Sequence, residues 1–394
     1  MLVDAAGRIA AVGADEAVPR PEGARAVDYP DALLLPGLIN AHTHLELHGL
    51  RGQVEEVDFF SWIQHMRRVR ETAGVDDYLE GARAGLRECW SFGVTTVADT
   101  GTSGATVEAF AELGGRGVYY QEALGPDRRG AARAFAEVIK SVDRLLEQAP
   151  AGVAIGVSPH APYTVGPELL AQAVGYALER GLPLAMHLAE SSAEVEFVTA
   201  GRGAFADNWR ERGIPLPHPA RSPLAYAEGA GVLGPDLLAI HAVQADPEDV
   251  ALLAETDTAV AACPRSNRRH GHGGLPLAEL LGAGVRVGLG TDSAASVPDL
   301  DLLAEARAAR ELAGLSAEEA VRLATLGGAR ALGMEAEVGS LEAGKWADFC
   351  VLPLEASGTR DAGEVAGLVL EHREDCLATW VAGQQAHPEP GPDT

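Results

Sequence analysis

Residues 37–44 read Gly-Leu-Ile-Asn-Ala-His-Thr-His, an apolar run that ends in two histidines separated by one residue. Alternate residues of a β-strand face the same side, so His42 and His44 can point at a common centre. Two imidazoles at this spacing suit a metal ion, but two polar residues at the end of an ordinary strand show the same pattern. The rest of the sequence must decide between these two interpretations.

Seven further short runs rich in Val, Ile, Leu and Ala follow along the chain, and helical stretches such as residues 131–148 separate them. Runs of this length and composition are typical of strands buried on both faces. The eight runs are residues 37–44, 95–101, 116–124, 152–160, 183–190, 237–244, 258–267 and 285–292. Eight strands that alternate with helices predict a (β/α)₈ TIM barrel, and the alternative is an open, doubly wound sheet.

Both ends of the chain lie outside these runs. Residues 1–36 and 337–383 contain strand-like stretches, which predict one small β-sandwich-like domain with a composite sheet built from both termini. The barrel then occupies residues 37–336. Residues 384–394 are rich in proline, and we expect a disordered tail there.

Composition limits the class of partner. The chain has 394 residues and a formal net charge of −26, which argues against binding to nucleic acid or to an anionic membrane surface. A hydrophobic content of 47% excludes a disordered chain. The four cysteines are widely spaced, which excludes a disulfide scaffold, and no apolar segment marks a signal peptide near the start. We therefore expect a cytoplasmic protein that acts on a small molecule.

Three more polar residues stand at the ends of predicted barrel strands. His187 ends the fifth run, His241 the sixth and Asp292 the eighth. A barrel builds its active site from the carboxyl ends of its strands, so these residues should meet His42 and His44. One divalent cation would satisfy all five side chains, and packing alone does not explain them.

Four stretches resemble motifs of the amidohydrolase superfamily, namely residues 35–44, 158–164, 187–190 and 288–293. The resemblance extends to residues 339–348 and so covers nearly the whole chain. More narrowly, it points to the branch with guanine deaminases, S-adenosylhomocysteine and methylthioadenosine deaminases, and triazine hydrolases. This branch often forms homodimers.

The resemblance implies a metal site whose ligands are His42, His44, His187 and Asp292. Dinuclear members of the superfamily often bridge two metals with a carboxylated lysine after the fourth strand. Neither of the two lysines of this chain lies there, which favours a single metal, either Zn²⁺ or Fe²⁺. His241 would contact the reacting water or the new oxyanion, or else serve as a fifth ligand.

Glu190 follows His187 by three residues and suits the chemistry of hydrolytic deamination. Beside water activated by a metal, a carboxylate can pass a proton to a ring nitrogen while the water attacks the amino-bearing carbon. Asp292 can accept the proton of the water, and His241 can stabilise charge on the new oxygen. The amine then takes up a proton and leaves as ammonia.

The substrate is predicted from resemblance as well. His160 matches a substrate-binding histidine of the branch, and Glu46 together with the stretch from Asn267 onwards resembles aminodeoxyfutalosine deaminases of menaquinone biosynthesis. That substrate is an adenine nucleoside extended by a benzoate, which an arginine would pair with. The arginine candidates are Arg51, Arg265, Arg268 and Arg269.

Other functions fit the same motifs. The chain could deaminate S-adenosylhomocysteine, adenosine or guanine, or it could be a chlorohydrolase or a cyclic-amide hydrolase that uses the same metal and water. A non-catalytic scaffold is a distant alternative, since such a relative would be expected to lose metal ligands, and this sequence retains all of them.

Overall fold

The computed structural model describes residues 1–55, 58–353 and 361–388. Its strands are β1 (Leu2–Val3), β2 (Ile9–Ala11), β3 (Ala32–Pro36), β4 (Leu38–Thr43), β5 (Val94–Gly101), β6 (Arg116–Ala123), β7 (Val153–Pro159), β8 (Leu184–Leu188), β9 (Leu237–His241), β10 (Ala259–Ala262), β11 (Val287–Leu289), β12 (Phe349–Pro353), β13 (Ala378–Val381) and β14 (Gln384–His387).

The α-helices of the described residues are α1 (Phe59–Thr72), α2 (Val75–Ser91), α3 (Ala105–Leu113), α4 (Ala131–Gln148), α5 (Pro167–Arg180), α6 (Ser192–Ala200), α7 (Gly203–Glu211), α8 (Pro223–Gly229), α9 (Pro247–Glu255), α10 (Pro264–Arg269), α11 (Leu277–Gly282), α12 (Leu302–Ala313), α13 (Ala317–Arg322), α14 (Gly328–Ala331) and α15 (Ala362–Glu371). Within the described part of the chain, none of the helices combines the length and the apolar character needed to cross a membrane.

Strands β4 to β11 form the predicted barrel. Each strand pairs in parallel with the next one along the chain, and a bridge between Thr43 and Asp292 joins the first strand to the segment after the last. The amide of Asp292 also donates to the carbonyl of His42 at 3.0 Å. A sheet whose strands pair in chain order and whose first and last strands meet is a barrel, so the open doubly wound alternative is wrong.

Gly290 allows the first and last strands to approach closely beneath the site. A Cβ atom at this position would lie 2.8 Å from the Cβ of His42 and 2.9 Å from its amide nitrogen. Nearby, the Asn40 amide donates to the Thr291 hydroxyl at 2.7 Å, and the Thr291 amide donates back at 3.1 Å. A side chain at Gly290 would force these strands apart and so separate His42 from Asp292.

The composite sheet from both termini is confirmed. Strands β3, β12, β13 and β14 form one antiparallel sheet, while β1 and β2 pair as a separate small ribbon. The division into domains at residues 36 and 337 stays a prediction, and residues 354–360 of the C-terminal segment lie outside the described residues.

The predicted start of the tail at residue 384 is wrong. Residues 384–387 form β14, because Ala382 and Gly383 both adopt positive φ angles, of 49° and 73°, and turn the chain back onto β13. Two residues with positive φ are the requirement of a tight hairpin turn. Residues 389–394 of the predicted tail lie outside the described residues.

A buried ion pair links the barrel to the composite sheet. The Arg116 side chain donates to Asp348 at 2.6 Å, and the two side chains are 5% and 2% exposed. Asp348 also accepts the amide of Ala382 at 2.6 Å. We expect Asp348→Ala to lower the free energy of unfolding by about 3 kcal/mol, because it leaves the Arg116 charge buried without its partner.

Urea titration followed by circular dichroism measures this change. Glu342→Ala serves as a matched control, since Glu342 pairs with Lys345 on the surface and is 66% exposed. Exposed pairs contribute about 0–1 kcal/mol, so the control should move the transition little. Equal shifts for the two variants would contradict the structural role of the buried pair.

Two long connections pack together over the barrel mouth. The first carries α1 and α2, and the second carries α6 to α8. Phe59 on α1 meets Phe205 on α7 edge to face at 6.4 Å, and Phe205 stacks on Tyr163 at 4.0 Å. Trp62, Phe197 and Trp209 belong to the same buried cluster. Helix α1 and Tyr78 of α2 therefore wall a pocket above the strand ends, and α7 packs against α1 from behind.

Candidate metal centre and active site

Three histidines meet at the carboxyl ends of β4 and β8. His42 lies in β4, His44 directly follows it, and His187 lies in β8. All three are buried, and one ligand atom from each lies within 4.8 Å of the others. The spacing predicted from the His-x-His pattern therefore places both imidazoles beside His187.

The chemistry of this cluster fits a metal ion. Neither ring nitrogen of His42 has a hydrogen-bond partner among the described residues, although its side chain is fully buried. Burial lowers the pKa of His42 and His187 and lowers that of His44 to about 4, so the three rings are neutral at pH 7. Neutral imidazole is the form that binds metals, and a cation would satisfy the unpaired nitrogens.

Asp292 adds a carboxylate to the cluster. Its Oδ1 lies 3.7 Å from the Nε2 atoms of both His42 and His44. Burial raises the pKa of Asp292, but the contact with His42 and the charges of the nearby histidines outweigh it and keep the pKa well below its ordinary value. Asp292 is therefore an ionised oxygen donor next to three nitrogen donors, a combination suited to Zn²⁺ or Fe²⁺.

The backbone is strained at this end of the barrel. Ala189, His241, Ala242 and Asp292 adopt positive φ angles of 51°, 74°, 49° and 62°. Such conformations are unfavourable for residues other than glycine and persist where the surrounding structure requires them. Here they direct His241, Asp292 and the residue before Glu190 into one small volume.

Neighbouring groups orient the rings of His44 and His187. The Nδ1 of His44 lies 2.9 Å from the carbonyl of Thr100, and that of His187 lies 3.0 Å from the carbonyl of His160. In both rings Nδ1 therefore carries the proton, and Nε2 keeps a lone pair that can bind a metal, as in metal-ligating histidines whose outer partner sets the tautomer.

Two residues after β10, Ser266 and Asn267, orient the side chains of Asp292 and His241. The Nδ1 of His241 lies 3.0 Å from Oδ1 of Asn267, so Nε2 of His241 is left to face the site. The hydroxyl of Ser266 donates a short hydrogen bond to Oδ2 of Asp292. These contacts fix His241 and Asp292 without using the atoms that face the centre.

Glu190 lies beside this centre as an ionised carboxylate. Its Oε1 is 3.5 Å from Nε2 of His241 and 3.6 Å from Nε2 of His272, and the hydroxyl of Tyr163 donates to Oε2 at 3.4 Å. Burial raises the pKa of Glu190, but the effects of His241 and His272 are larger and lower the pKa to about 2. Glu190 can therefore accept a proton at neutral pH.

A cavity of about 360 Å³ opens above these groups. His44, His160, His187, Glu190, His241 and Asp292 form its floor, and Leu47, Phe59, Trp62, Ile63, Met66, Arg67, Arg70, Glu71 and Tyr163 are among the residues of its walls. This volume and this mostly apolar lining with a few converging polar groups are typical of small-molecule sites.

The arginine candidates of the sequence analysis do not line this cavity. Arg51 pairs with Glu88 at 2.6 Å, Arg265 pairs with Asp299 at 2.8 Å, and Arg268 is 67% exposed beside Glu311. Arg269 is also exposed and absent from the cavity walls. Carboxylates of neighbouring elements pair with Arg51 and Arg265, and none of the four arginines lines the cavity, so their contact with a substrate stays a prediction.

Glu46 and Asn267 are buried next to the cavity without forming its walls. Glu46 accepts the amides of Thr102 and Ser103 and contacts Arg70 at 3.2 Å. Glu46 therefore positions Arg70, and Asn267 positions His241. The geometry does not favour direct contact of either residue with a substrate. His160, in contrast, does face the cavity, and its ring stacks on His187 at 4.6 Å.

Several residues at the site were not predicted from the sequence. Arg67, Arg70 and Glu71 come from α1, whose charged residues look like an ordinary solvated face in the sequence. Glu122 ends β6 with its side chain fully buried, 3.8 Å from Nε2 of His160. One feature of the sequence could have pointed to His272, because His270 and His272 repeat the His-x-His spacing after a barrel strand.

Comparison with known proteins agrees with this geometry. The sequence model of the amidohydrolase family matches residues 33–374. A 5-methylthioadenosine/S-adenosylhomocysteine deaminase of Symbiobacterium thermophilum is 34% identical over 372 residues, which cover 90% of this chain and 80% of the relative.

Two solved structures share the fold. An atrazine chlorohydrolase of Arthrobacter aurescens complexed with zinc has a TM-score of 0.80 at 28% identity and covers 98% of this chain and 89% of its own. An adenosine deaminase of Xanthomonas campestris with bound zinc has a TM-score of 0.78 at 29% identity, with 90% and 80% covered. Family match, relatives and site geometry agree: this chain belongs to the amidohydrolase family and is a hydrolase of that family.

Proposed function

We propose that this chain is a metal-dependent hydrolytic deaminase of adenine nucleosides extended at the 5′ position, with aminodeoxyfutalosine as the first candidate substrate. The ionised Glu190 carboxylate carries this proposal, because it shares the cavity floor with the histidine cluster and lies 3.5 Å from His241. Deamination of a purine ring requires a group at this position that gives a proton to the ring nitrogen.

His42, His44, His187 and Asp292 would hold one divalent metal. When bound, the metal supplies a water molecule with a pKa of about 7 that can react near neutral pH. Zinc and ferrous iron both suit three imidazoles and a carboxylate.

The residues of the chain divide the proton transfers. Asp292 and Glu190 are both carboxylates at neutral pH, so each can accept one of the two protons of the water as its oxygen bonds to the amino-bearing carbon. Glu190 passes its proton to the neighbouring ring nitrogen, and Nε2 of His241, when it carries a proton, stabilises the charge on the new oxygen. Asp292 passes the other proton to the amine, the carbon–nitrogen bond breaks, and ammonia leaves.

The walls of the cavity favour a substrate larger than a free base. Trp62, Ile63 and Met66 on α1 offer an apolar surface beyond the catalytic floor, and Arg67 lies at the end of this surface. Arg70 is already held by Glu46 at 3.2 Å and Glu122 at 3.6 Å, so its charge is compensated. Arg67 is 62% exposed, and its ion pair with Glu71 lies on the surface, so Arg67 remains available to an anion.

This surface matches an apolar or aromatic extension that ends in a carboxylate. The benzoate of aminodeoxyfutalosine has both features, and the homocysteine carboxylate of S-adenosylhomocysteine has the second. S-adenosylhomocysteine and 5-methylthioadenosine are the second candidates, because the relative at 34% identity carries their names. Guanine lacks an extension and would leave the α1 wall without contacts.

We expect Arg67→Ala to raise KM about fivefold for a nucleoside with an anionic extension and to leave KM for adenosine unchanged. The modest factor follows from the exposure of Arg67, since solvent weakens exposed ion pairs to about 1 kcal/mol. Steady-state kinetics on aminodeoxyfutalosine, S-adenosylhomocysteine and adenosine measure the difference.

Arg68→Ala provides the matched control. Arg68 is the next residue of α1, is exposed and does not line the cavity. This variant should leave all three KM values unchanged. Equal KM changes for anionic and neutral nucleosides in Arg67→Ala would show that Arg67 does not recognise the extension.

A further inference from the structure

We propose that His272 is a positioning residue of this reaction. It holds the Glu190 carboxylate in place while His241 stabilises the charge on the new oxygen. The proposal rests on the proposed deaminase function. His272 follows α10 in the loop after the seventh barrel strand, and its side chain is 5% exposed. It does not line the substrate cavity, so it acts through Glu190.

The contacts of Glu190 leave a role for His272. Oε1 of Glu190 has two imidazole nitrogens within 3.6 Å, Nε2 of His241 and Nε2 of His272. His241 has only Nε2 to offer, because its Nδ1 is used by Asn267 at 3.0 Å. Nε2 of His241 cannot donate a full hydrogen bond both to Glu190 and to an oxygen that gains negative charge. Glu190 therefore needs a second contact when the reaction proceeds.

Nε2 of His272 is free for this purpose. Within the described ranges it is buried without a hydrogen-bond partner. A buried polar atom in this state normally has a function or a ligand. Oε1 of Glu190 lies 3.6 Å from it.

The fold fixes the direction of the ring. The amide of His272 donates to the carbonyl of Asn267 at 2.9 Å, and its carbonyl accepts from the side chain of Gln244 at 2.7 Å. Its ring packs edge to face against Phe59 at 4.5 Å and lies parallel to His270 at 5.5 Å. His272 is therefore held by two backbone hydrogen bonds and by two ring contacts, as a residue that positions another group should be.

Kinetics of His272→Ala and His272→Gln, each in the wild-type and in the Glu190→Gln background, test the proposal. We expect His272→Ala to lower kcat about 10- to 100-fold, as loss of a supporting contact does, with KM changed less than about threefold. His272→Gln should recover part of kcat, because an amide can still donate to the carboxylate. In the Glu190→Gln background His272→Ala should change kcat less than about threefold, since the group that it positions is gone.

His218→Gln is the control, because His218 is exposed and lies outside the cavity. An unchanged kcat in His272→Ala, or an equal loss in both backgrounds, would overturn the proposal. Metal content is measured for each variant, and a loss of kcat that follows loss of metal would overturn it too.

A second readout needs no turnover. In zinc-loaded protein with ¹⁵N-labelled histidine, the Nε2 resonance of His272, assigned by its absence in His272→Gln, should shift in Glu190→Gln. An unshifted resonance would overturn the contact. If the wild type converts no adenine nucleoside, the proposed function fails, and the resonance alone decides whether His272 holds Glu190.

Discussion

Replacement of Glu190 by glutamine is expected to lower kcat by about 10²- to 10⁴-fold, the contribution typical of a positioned proton donor and acceptor. Glutamine has nearly the shape of glutamate but cannot take up and release the proton at this pH. Because Glu190 is not among the predicted metal ligands, the metal content should stay at that of the wild type. Ammonia release and elemental analysis of the purified variant measure the two quantities.

Glu196→Gln is the matched control for this substitution. Glu196 lies on α6, is exposed, and does not reach the cavity. It should keep wild-type kcat. Full activity in Glu190→Gln would exclude Glu190 as the proton carrier and leave Asp292 as the remaining ionised carboxylate of the cavity floor.

Loss of the metal is expected to have an effect of similar size. Treatment with a chelator, or His187→Ala, should lower kcat at least about 100-fold, since a metal ion contributes several kcal/mol to the stabilisation of transition-state charge and 1.4 kcal/mol is a factor of ten. Added Zn²⁺ or Fe²⁺ should restore the chelated wild type. It should not restore His187→Ala, because the variant lacks one of three clustered nitrogen donors.

Metal stoichiometry makes the same prediction quantitative. We expect about one equivalent per chain in the wild type and in His218→Gln, and well below one in His187→Ala. Two equivalents in the wild type would contradict the mononuclear site. His187→Ala with full metal content and activity would contradict the assignment of His187 as a ligand.

Much of the fold could be predicted from the sequence for a physical reason. Strands buried on both faces must be apolar along their whole length, so each barrel strand appears as a separate short run. Strands β4 to β7 lie within one residue of their predicted runs at both ends, whereas β8 to β11 end two to five residues earlier than predicted. Residues at the carboxyl ends of such strands share one edge of the barrel. The strand-end positions of His42, His44, His187, His241 and Asp292 were therefore sufficient to predict that these side chains meet.

The charged residues of the cavity wall were less predictable, because their positions depend on which partner each charged residue meets after folding. Arg265 looks available beside the seventh strand, yet Asp299 and Glu305 hold it. Arg67 looks like part of a solvated helix, yet α1 folds over the mouth. Nothing in the local pattern of either arginine separates these outcomes.

The contact between His272 and Glu190 was hidden for a similar reason. The two residues lie 82 positions apart in the sequence, and the loop that carries His272 is oriented by Gln244 and Asn267 from other elements. Only the folded chain shows that His272, the second histidine of the pattern at residues 270–272, lies beside a carboxylate.

One measurement tests the proposed function most directly. Protein with one equivalent of metal is incubated with aminodeoxyfutalosine, S-adenosylhomocysteine, 5-methylthioadenosine and adenosine, while the ultraviolet shift from adenine to hypoxanthine and the release of ammonia are followed together. We expect both signals to appear at equal rates with at least one extended nucleoside, and to disappear in Glu190→Gln. Metal-loaded protein that releases no ammonia from any of the four compounds would contradict adenine deamination.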